Sequence, residues 1–277
     1  MYTIHPTPAL ESNYIWTIEH NETKDTLVVD PGEADGIIAY LEKNSLNLTA
    51  LLITHSHWDH VTGIKPLMDY YKSKQAGNDK DKATLPIYGP GSIEHVNNAL
   101  EEGREFHFHD LTFETLHTPG HLPEHLSYVA KIDGHPSLFC GDTLFSAGCG
   151  RIFSGTPEQL HQSLQRLAQL PVETKVYCAH EYTEANLNFA HAVDPDNSFI
   201  EEYRQEVKRV RATGKPSLPS LIGIERKINP FLRVNEPAII QSALSWDNNQ
   251  SASQNNLTED NQPTKVFQTI RAWKDQF

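Results

Sequence analysis

Few segments restrict a chain as tightly as Thr54-His55-Ser56-His57-Trp58-Asp59-His60, which sets three imidazoles and one carboxylate in the stretch from His55 to His60. Neutral imidazole is the commonest nitrogen ligand of transition metals, and a carboxylate adds the negative charge that holds a divalent ion. The preceding Leu51-Leu52-Ile53 reads as the end of a buried strand, so the ligands stand where a strand opens into a loop. His55 and His57 are two apart and point the same way from extended backbone, whereas adjacent Asp59 and His60 diverge. That spacing suits two ions better than one, with His55 and His57 on the first and Asp59 and His60 on the second. The plain alternative is a solvated loop rich in histidine, and the density of ligand types speaks against it.

Three further strand ends repeat the pattern. In Thr118-Pro119-Gly120-His121 the Pro-Gly pair stops a strand and forces a tight turn that presents His121. His125 is the rival ligand, but no such turn holds it, so a structural role fits it better. Leu138-Phe139-Cys140-Gly141-Asp142 ends a buried strand on an aspartate, which costs free energy there unless it is paired or metal-bound. With two oxygens Asp142 can bridge two cations; standing alone it would read as a turn former. Lys175-Val176-Tyr177-Cys178-Ala179-His180 is a short apolar strand that runs out on a histidine. Ligands gather at strand ends in layered α/β folds, and four such ends converge on one chemistry. Cys140 and Cys178 read as small core residues rather than ligands. In Phe106-His107-Phe108-His109 the alternation predicts one buried and one exposed face, not a metal site.

Around these motifs the chain alternates strands (13–18, 26–30, 51–54, 85–90) with helices (Ile37, Ile38 and Leu41 on one face, then 64–72), the repeat of an α/β layered fold. Ile93 to Leu100 also reads as a helix, and Arg104 to His117 as a hairpin turning near Asp110. Past Tyr182 the pattern becomes helical, over 184–192, 198–212, 237–244 and 266–277, which predicts a boundary near residue 180. Polar Ser73–Lys82 reads as a surface insertion, and Trp246–Pro263 as a loop. The formal net charge of −13 argues against nucleic acid and anionic lipid as partners. No apolar run approaches the ~20 residues that cross a bilayer. Met1-Tyr2-Thr3-Ile4-His5-Pro6 has no leader character, and three cysteines argue against a disulfide framework. The expectation is a cytoplasmic protein.

Taken together, the 54–60 motif, Thr118-Pro119-Gly120-His121, Gly141-Asp142 and His180 resemble the metallo-β-lactamase superfamily, and within it the hydroxyacylglutathione hydrolase (glyoxalase II) family. Three stretches carry the narrower likeness: Gly148–Thr156, similar to the family's substrate loop; Ile228-Asn229-Pro230-Phe231-Leu232-Arg233, similar to its Asn-Pro-Phe segment; and Arg271–Phe277, similar to its Arg-x-x-Lys-Asp-x-Phe ending. The resemblance implies an αββα sandwich with a smaller C-terminal helical domain, divided as 1–180 for catalysis and 181–277 for binding the glutathione thioester. It implies two divalent ions, zinc first, with iron and manganese as alternatives. His55, His57 and His121 would hold one ion, Asp59, His60 and His180 the other, and Asp142 would bridge them. A hydroxide between the ions would hydrolyse S-D-lactoylglutathione to glutathione and D-lactate, the second step of methylglyoxal detoxification. Asp59 and Asp142 would fix metal and hydroxide, and Arg151, Phe153, Tyr182, Arg271 and Lys274 would contact substrate. The implied enzyme is a monomer.

Two departures stand out. Leu122 and Glu124 replace the Thr and Gly of the family's Thr-Pro-Gly-His-Thr-x-Gly-His run, and Phe153 stands where some members have tyrosine. The rival readings are a one-iron glutathione persulfide dioxygenase, a lactonase and a metal-dependent scaffold. Asp59 and His60, which build a second metal site, argue against the first of these.

Overall fold

The computed structural model describes residues 1–75, 84–249 and 263–277. They fall into two compact units, Met1–His117 with Glu124–Gly141, and Thr118–Pro123 with Asp142–Phe277.

In the first unit a sheet of order β1-β2-β3-β4-β5-β6 is built from β1 (Tyr2–Ala9), β2 (Asn13–His20), β3 (Asp25–Val29), β4 (Asn47–Leu52), β5 (Ile87–Pro90) and β6 (Asn98–Leu100). The first three strands pair antiparallel; β3 to β6 pair in parallel, which demands crossovers. These crossovers carry α1 (Asp35–Asn44), the single-turn α2 (Trp58–Val61) and α3 (Ile64–Lys74). Their apolar faces bury Ile37, Leu41, Ile64 and Leu67 in one cluster with Leu51, Ile53 and Ile87 of the sheet. Each such side chain contributes about 1.5–3 kcal/mol. A second, antiparallel meander follows: β7 (Glu105–Phe108), β8 (Leu111–His117), β9 (Leu126–Ile132) and β10 (His135–Gly141).

The two sheets meet through aromatic rings. Phe106 of the second sheet stacks on Tyr88 of the first at 4.5 Å, and on its own sheet neighbour Phe113 at 4.7 Å. Fully buried Tyr128 donates its hydroxyl to the Ile53 carbonyl at 2.6 Å, pinning the chain one residue before Thr54. Phe106 and Phe108 are buried while His107 and His109 face out, as their alternation predicts.

The second unit holds β11 (Leu144–Phe145) paired with β12 (Gly148–Cys149), α4 (Pro157–Leu167), β13 (Lys175–Cys178), α5 (Thr183–Val193), α6 (Ser198–Ala212), β14 (Ser220–Leu221), α7 (Ile222–Ile228), α8 (Pro237–Asn248) and α9 (Pro263–Gln276). Strands β13 and β14 pair antiparallel. Leu187 and Ala190 of α5 pack with Ile200 and Val207 of α6 and Ile228 of α7. Val266, Phe267 and Ile270 of α9 are fully buried, and Phe267 lies against His161 and Phe231.

Several expectations are corrected. Ile93 to Leu100 is not helical: the chain turns after Pro90 and re-enters the sheet as β6. The reason is Asn97, whose side chain accepts from the Ile87 amide at 2.9 Å and donates to the Leu85 carbonyl at 2.9 Å. It thus offers the backbone an alternative to the helix. Helix α4 was not anticipated, although Thr156-Pro157-Glu158-Gln159 spells a capping box with proline in the first turn, and both capping bonds form. Helix α7 was also missed. Helix α8 runs on to Asn248, so the loop expected from Trp246 does not start there; residues 250–262 of that expectation, and 76–83 of the other insertion, lie outside the described residues.

Candidate metal centre

Four of the expected ligands belong to the first unit. Ligand atoms of His55 and His57 lie within 4.8 Å of each other, as do those of Asp59 and His60. A buried aspartate organises them. Asp30 accepts the Thr54 amide at 2.8 Å and the Thr54 hydroxyl at 2.7 Å, and it faces His60 Nδ1 at 3.1 Å. Because the Thr54 hydroxyl spends its proton on Asp30, it accepts from His55 Nδ1 at 3.0 Å. His55 therefore carries its proton on Nδ1 and presents the Nε2 lone pair, the tautomer that a metal requires, and the Asp30 carboxylate beside His60 Nδ1 favours the same tautomer there. Asn13 donates to the Asp59 carboxylate at 3.0 Å and to its carbonyl at 3.2 Å, orienting that ligand. His60 Nε2 stands 3.5 Å from the Asp59 carboxylate.

His125 is fully buried and stacks on His55 at 4.8 Å, so it supports a ligand ring. Glu124, the departure from the family run, accepts from the Ser56 hydroxyl at 2.6 Å, tying the two loops together. Gly141 has φ of +46°, and a Cβ there would stand 2.4 Å from Thr54 Oγ1. Only glycine lets the strand end pass this close.

The second unit supplies His121, Asp142 and His180, all buried. The two oxygens of Asp142 point at different rings: Oδ2 lies 3.5 Å from His121 Nε2, and Oδ1 3.3 Å from His180 Nε2. His121 donates from Nδ1 to the Arg151 carbonyl at 2.7 Å, which again leaves Nε2 as the ligand atom. The turn before His121 needs Gly120, whose φ is +138° and whose added Cβ would meet the Leu160 backbone at 2.4 Å. His180 stacks flat on Tyr182 at 4.7 Å and meets the edge of Phe145 at 5.7 Å.

Each unit thus carries His/Asp groups of metal-binding character, His55, His57, Asp59 and His60 in the first and His121, Asp142 and His180 in the second. Neutral imidazoles fixed in the ligating tautomer, together with carboxylates, fit a divalent metal. Cys140 and Cys178 are fully buried, and burial raises the Cys178 thiol, which keeps it protonated.

The expected substrate contacts differ among themselves. Phe153 is 63% exposed and meets His121 edge-on at 5.2 Å; Tyr182 is 39% exposed. The Arg151 side chain is exposed, 3.5 Å from Asp275. Lys274 is half-buried over the rings of Phe189 and Phe277, and burial, reinforced by Arg271, lowers its pKa to about 8. Arg271 is buried, donating to the Cys149 carbonyl at 3.1 Å and to Asp275 at 3.0 Å. Asp30 and Asn13 escaped the sequence reading, because nothing in Asp30-Pro31-Gly32 distinguishes a ligand-orienting aspartate from a turn.

Comparison with known proteins agrees with this chemistry. Residues 10–180 match the metallo-beta-lactamase superfamily, and residues 181–277 match the hydroxyacylglutathione hydrolase C-terminus. A hydroxyacylglutathione hydrolase of Vibrio cholerae serotype O1 is 42% identical over 279 residues, covering 100% of both chains. One from Shewanella sp. strain ANA-3 is 44% identical over 283 residues, again covering 100% of both. Among solved structures, BLEG-1 B3 metallo-beta-lactamase aligns with TM-score 0.60 at 21% identity, covering 84% of this chain and 99% of that one. ETHE1 from Myxococcus xanthus aligns with TM-score 0.60 at 22% identity, covering 97% and 99%. These two likenesses establish the metallo-β-lactamase fold, and the full-length relatives narrow it: the chain belongs to the hydroxyacylglutathione hydrolase family of that superfamily.

Proposed function

We propose that the protein hydrolyses S-(2-hydroxyacyl)glutathione, with S-D-lactoylglutathione as the type substrate, to glutathione and a 2-hydroxy acid. The observation that carries this reading is the end-to-end likeness to hydroxyacylglutathione hydrolases, the C-terminal 181–277 match included. In this reading residues 1–180 catalyse and 181–277 bind the thioester. His55, His57 and His121 would hold one cation and Asp59, His60 and His180 a second, with Asp142 available to both; in support, the Asp142 oxygens address His121 and His180 separately. Zinc is the favoured metal, iron and manganese the alternatives. Such ions supply Lewis acidity and ionise water near neutral pH.

The residues do the rest. Asp30, through Thr54 and His60, holds two imidazoles in the ligating tautomer. Asp59 and Asp142 orient the attacking water and form no covalent intermediate. Arg151 and Lys274 attract the glutathione carboxylates against the negative field of the protein, Tyr182 offers a hydroxyl, and Phe153 an apolar wall. Arg271 supports this surface from below through the Cys149 carbonyl and Asp275. A monomer working in the cytoplasm completes the proposal.

The test is hydrolysis of S-D-lactoylglutathione, followed at the thioester absorbance, with metal analysis of the same sample. Turnover with two ions per chain is expected. A fully loaded preparation holding one iron, or one that leaves the thioester intact, would overturn the reading.

A further inference from the structure

A single loop, residues 142–151, touches all three ligands of the second unit. Asp142 begins it. Its Phe145 ring meets the edge of His180 at 5.7 Å, and the Arg151 carbonyl at its end accepts His121 Nδ1 at 2.7 Å. The loop is not relaxed. Ala147 has φ of +54°, in the left-handed region that a side chain disfavours, and such a residue persists only where its surroundings over-determine it.

Those surroundings come from the helices beyond residue 180. The fully buried Glu225 accepts the Ala147 amide at 2.7 Å. Asn229, also fully buried, donates from Nδ2 to the Phe145 carbonyl at 3.2 Å, the Gly148 carbonyl at 2.9 Å and Glu225 Oε2 at 3.1 Å. Asn186 donates to the Ser146 carbonyl at 3.0 Å. Burying these polar groups costs free energy that their hydrogen bonds offset, so loop geometries that break those bonds are disfavoured.

We propose that Glu225 and Asn229 are positioning residues of the metal centre, holding the 142–151 loop in the strained form that aims Asp142, His121 and His180. The helical region therefore tunes cation affinity, besides any role in holding the thioester. This rests on the ligand set proposed above.

Groups that orient metal ligands from outside typically cost 10–100-fold in affinity when removed. Full-length, zinc-loaded protein is compared by chelator competition, with thermal unfolding measured on the same samples. Glu225→Ala and Asn229→Asp, which strip the acceptor of the Ala147 amide and the donor to the Phe145 and Gly148 carbonyls, are expected to weaken zinc retention about tenfold or more. Glu225→Gln retains an oxygen where Glu225 Oε2 stands; burial already raises the Glu225 carboxyl toward its neutral form, so an uncharged amide suits the site. It should stay within about threefold of the parent, well short of the loss that removal brings. Ala147→Gly added to Glu225→Ala should recover part of the loss, because glycine accepts the left-handed backbone without the network.

Val207→Ala, which opens a cavity in the α5–α6–α7 core, is the control for mere destabilisation. The proposal is overturned if Val207→Ala releases zinc as readily at equal loss of thermal stability, or if Asn229→Asp and Glu225→Ala retain zinc like the parent. Should Glu225→Ala not accumulate, Asn229→Asp against Glu225→Gln decides in the same way. A parent chain that binds no zinc overturns the ligand assignment and this proposal with it; a loaded parent with unmoved variants overturns this proposal alone.

Discussion

Replacing Asp30 by alanine removes one buried carboxylate and, with it, the acceptor for the Thr54 amide at 2.8 Å and the Thr54 hydroxyl at 2.7 Å, and the negative charge 3.1 Å from His60 Nδ1. The hydroxyl can rotate to a new partner. The amide cannot follow, and a buried donor deprived of its acceptor costs about 1–3 kcal/mol. At about 2 kcal/mol, the middle of that range, Tm falls by roughly 4–8 °C at about 2–4 °C per kcal/mol. The metal centre loses more than stability. Without Asp30 the Thr54 hydroxyl no longer needs to accept from His55 Nδ1, so both His55 and His60 gain access to the wrong tautomer, for a loss of about 10–100-fold in cation affinity. Scanning fluorimetry and chelator competition on zinc-loaded protein measure the two effects separately. Zinc retention within about twofold of the parent, well under the loss typical of such groups, would refute the reasoning, whatever the change in Tm. Asp30→Asn should fall between, because its amide nitrogen confronts one of the same donors.

Gly141→Ala should not yield folded protein in quantity, since the new Cβ would sit 2.4 Å from Thr54 Oγ1 at a φ of +46°; normal soluble yield would show that the strand end can move aside. Phe267→Ala in α9 is expected to cost about 3–5 kcal/mol in urea unfolding, because Phe267 is fully buried; a shift in KM alone, at parental stability, would make the tail a binding element only. Lys274, held near a pKa of about 8, loses its charge as pH rises through that value, so KM for the anionic thioester should climb on the alkaline side. Lys274→Gln should flatten that limb, and a parental pH profile in the variant would exclude Lys274 as the titrating group. The stability sign is opposite: a lysine whose folded pKa lies below its unfolded value opposes folding at lower pH and stops doing so as pH rises from about 8 toward 10.5.

The chemistry delivered at each strand end is written in short runs of consecutive residues. Imidazole and carboxylate at positions 55–60, the Pro-Gly turn before His121, and Gly141-Asp142 are local patterns whose periodicity and turn geometry need no distant partner to be read. The α6 range was legible for the same reason, because a 3.6-residue period is written in consecutive residues. Ile93 to Leu100 carried a similar pattern and was misread, since the bonds of Asn97 to Ile87 and Leu85 outweigh it. Which groups orient the ligands depends on contacts made on folding. Asp30 reaches Thr54 across 24 residues and Glu225 reaches Ala147 across 78, and no spacing rule connects residues that far apart. Arg271 shows the same division: its charge is plain in the sequence, but its burial against the Cys149 carbonyl is set by the packing of α9. Ligand identity is a property of side chains, whereas tautomer, strain and burial are properties of neighbours, and only folding chooses the neighbours.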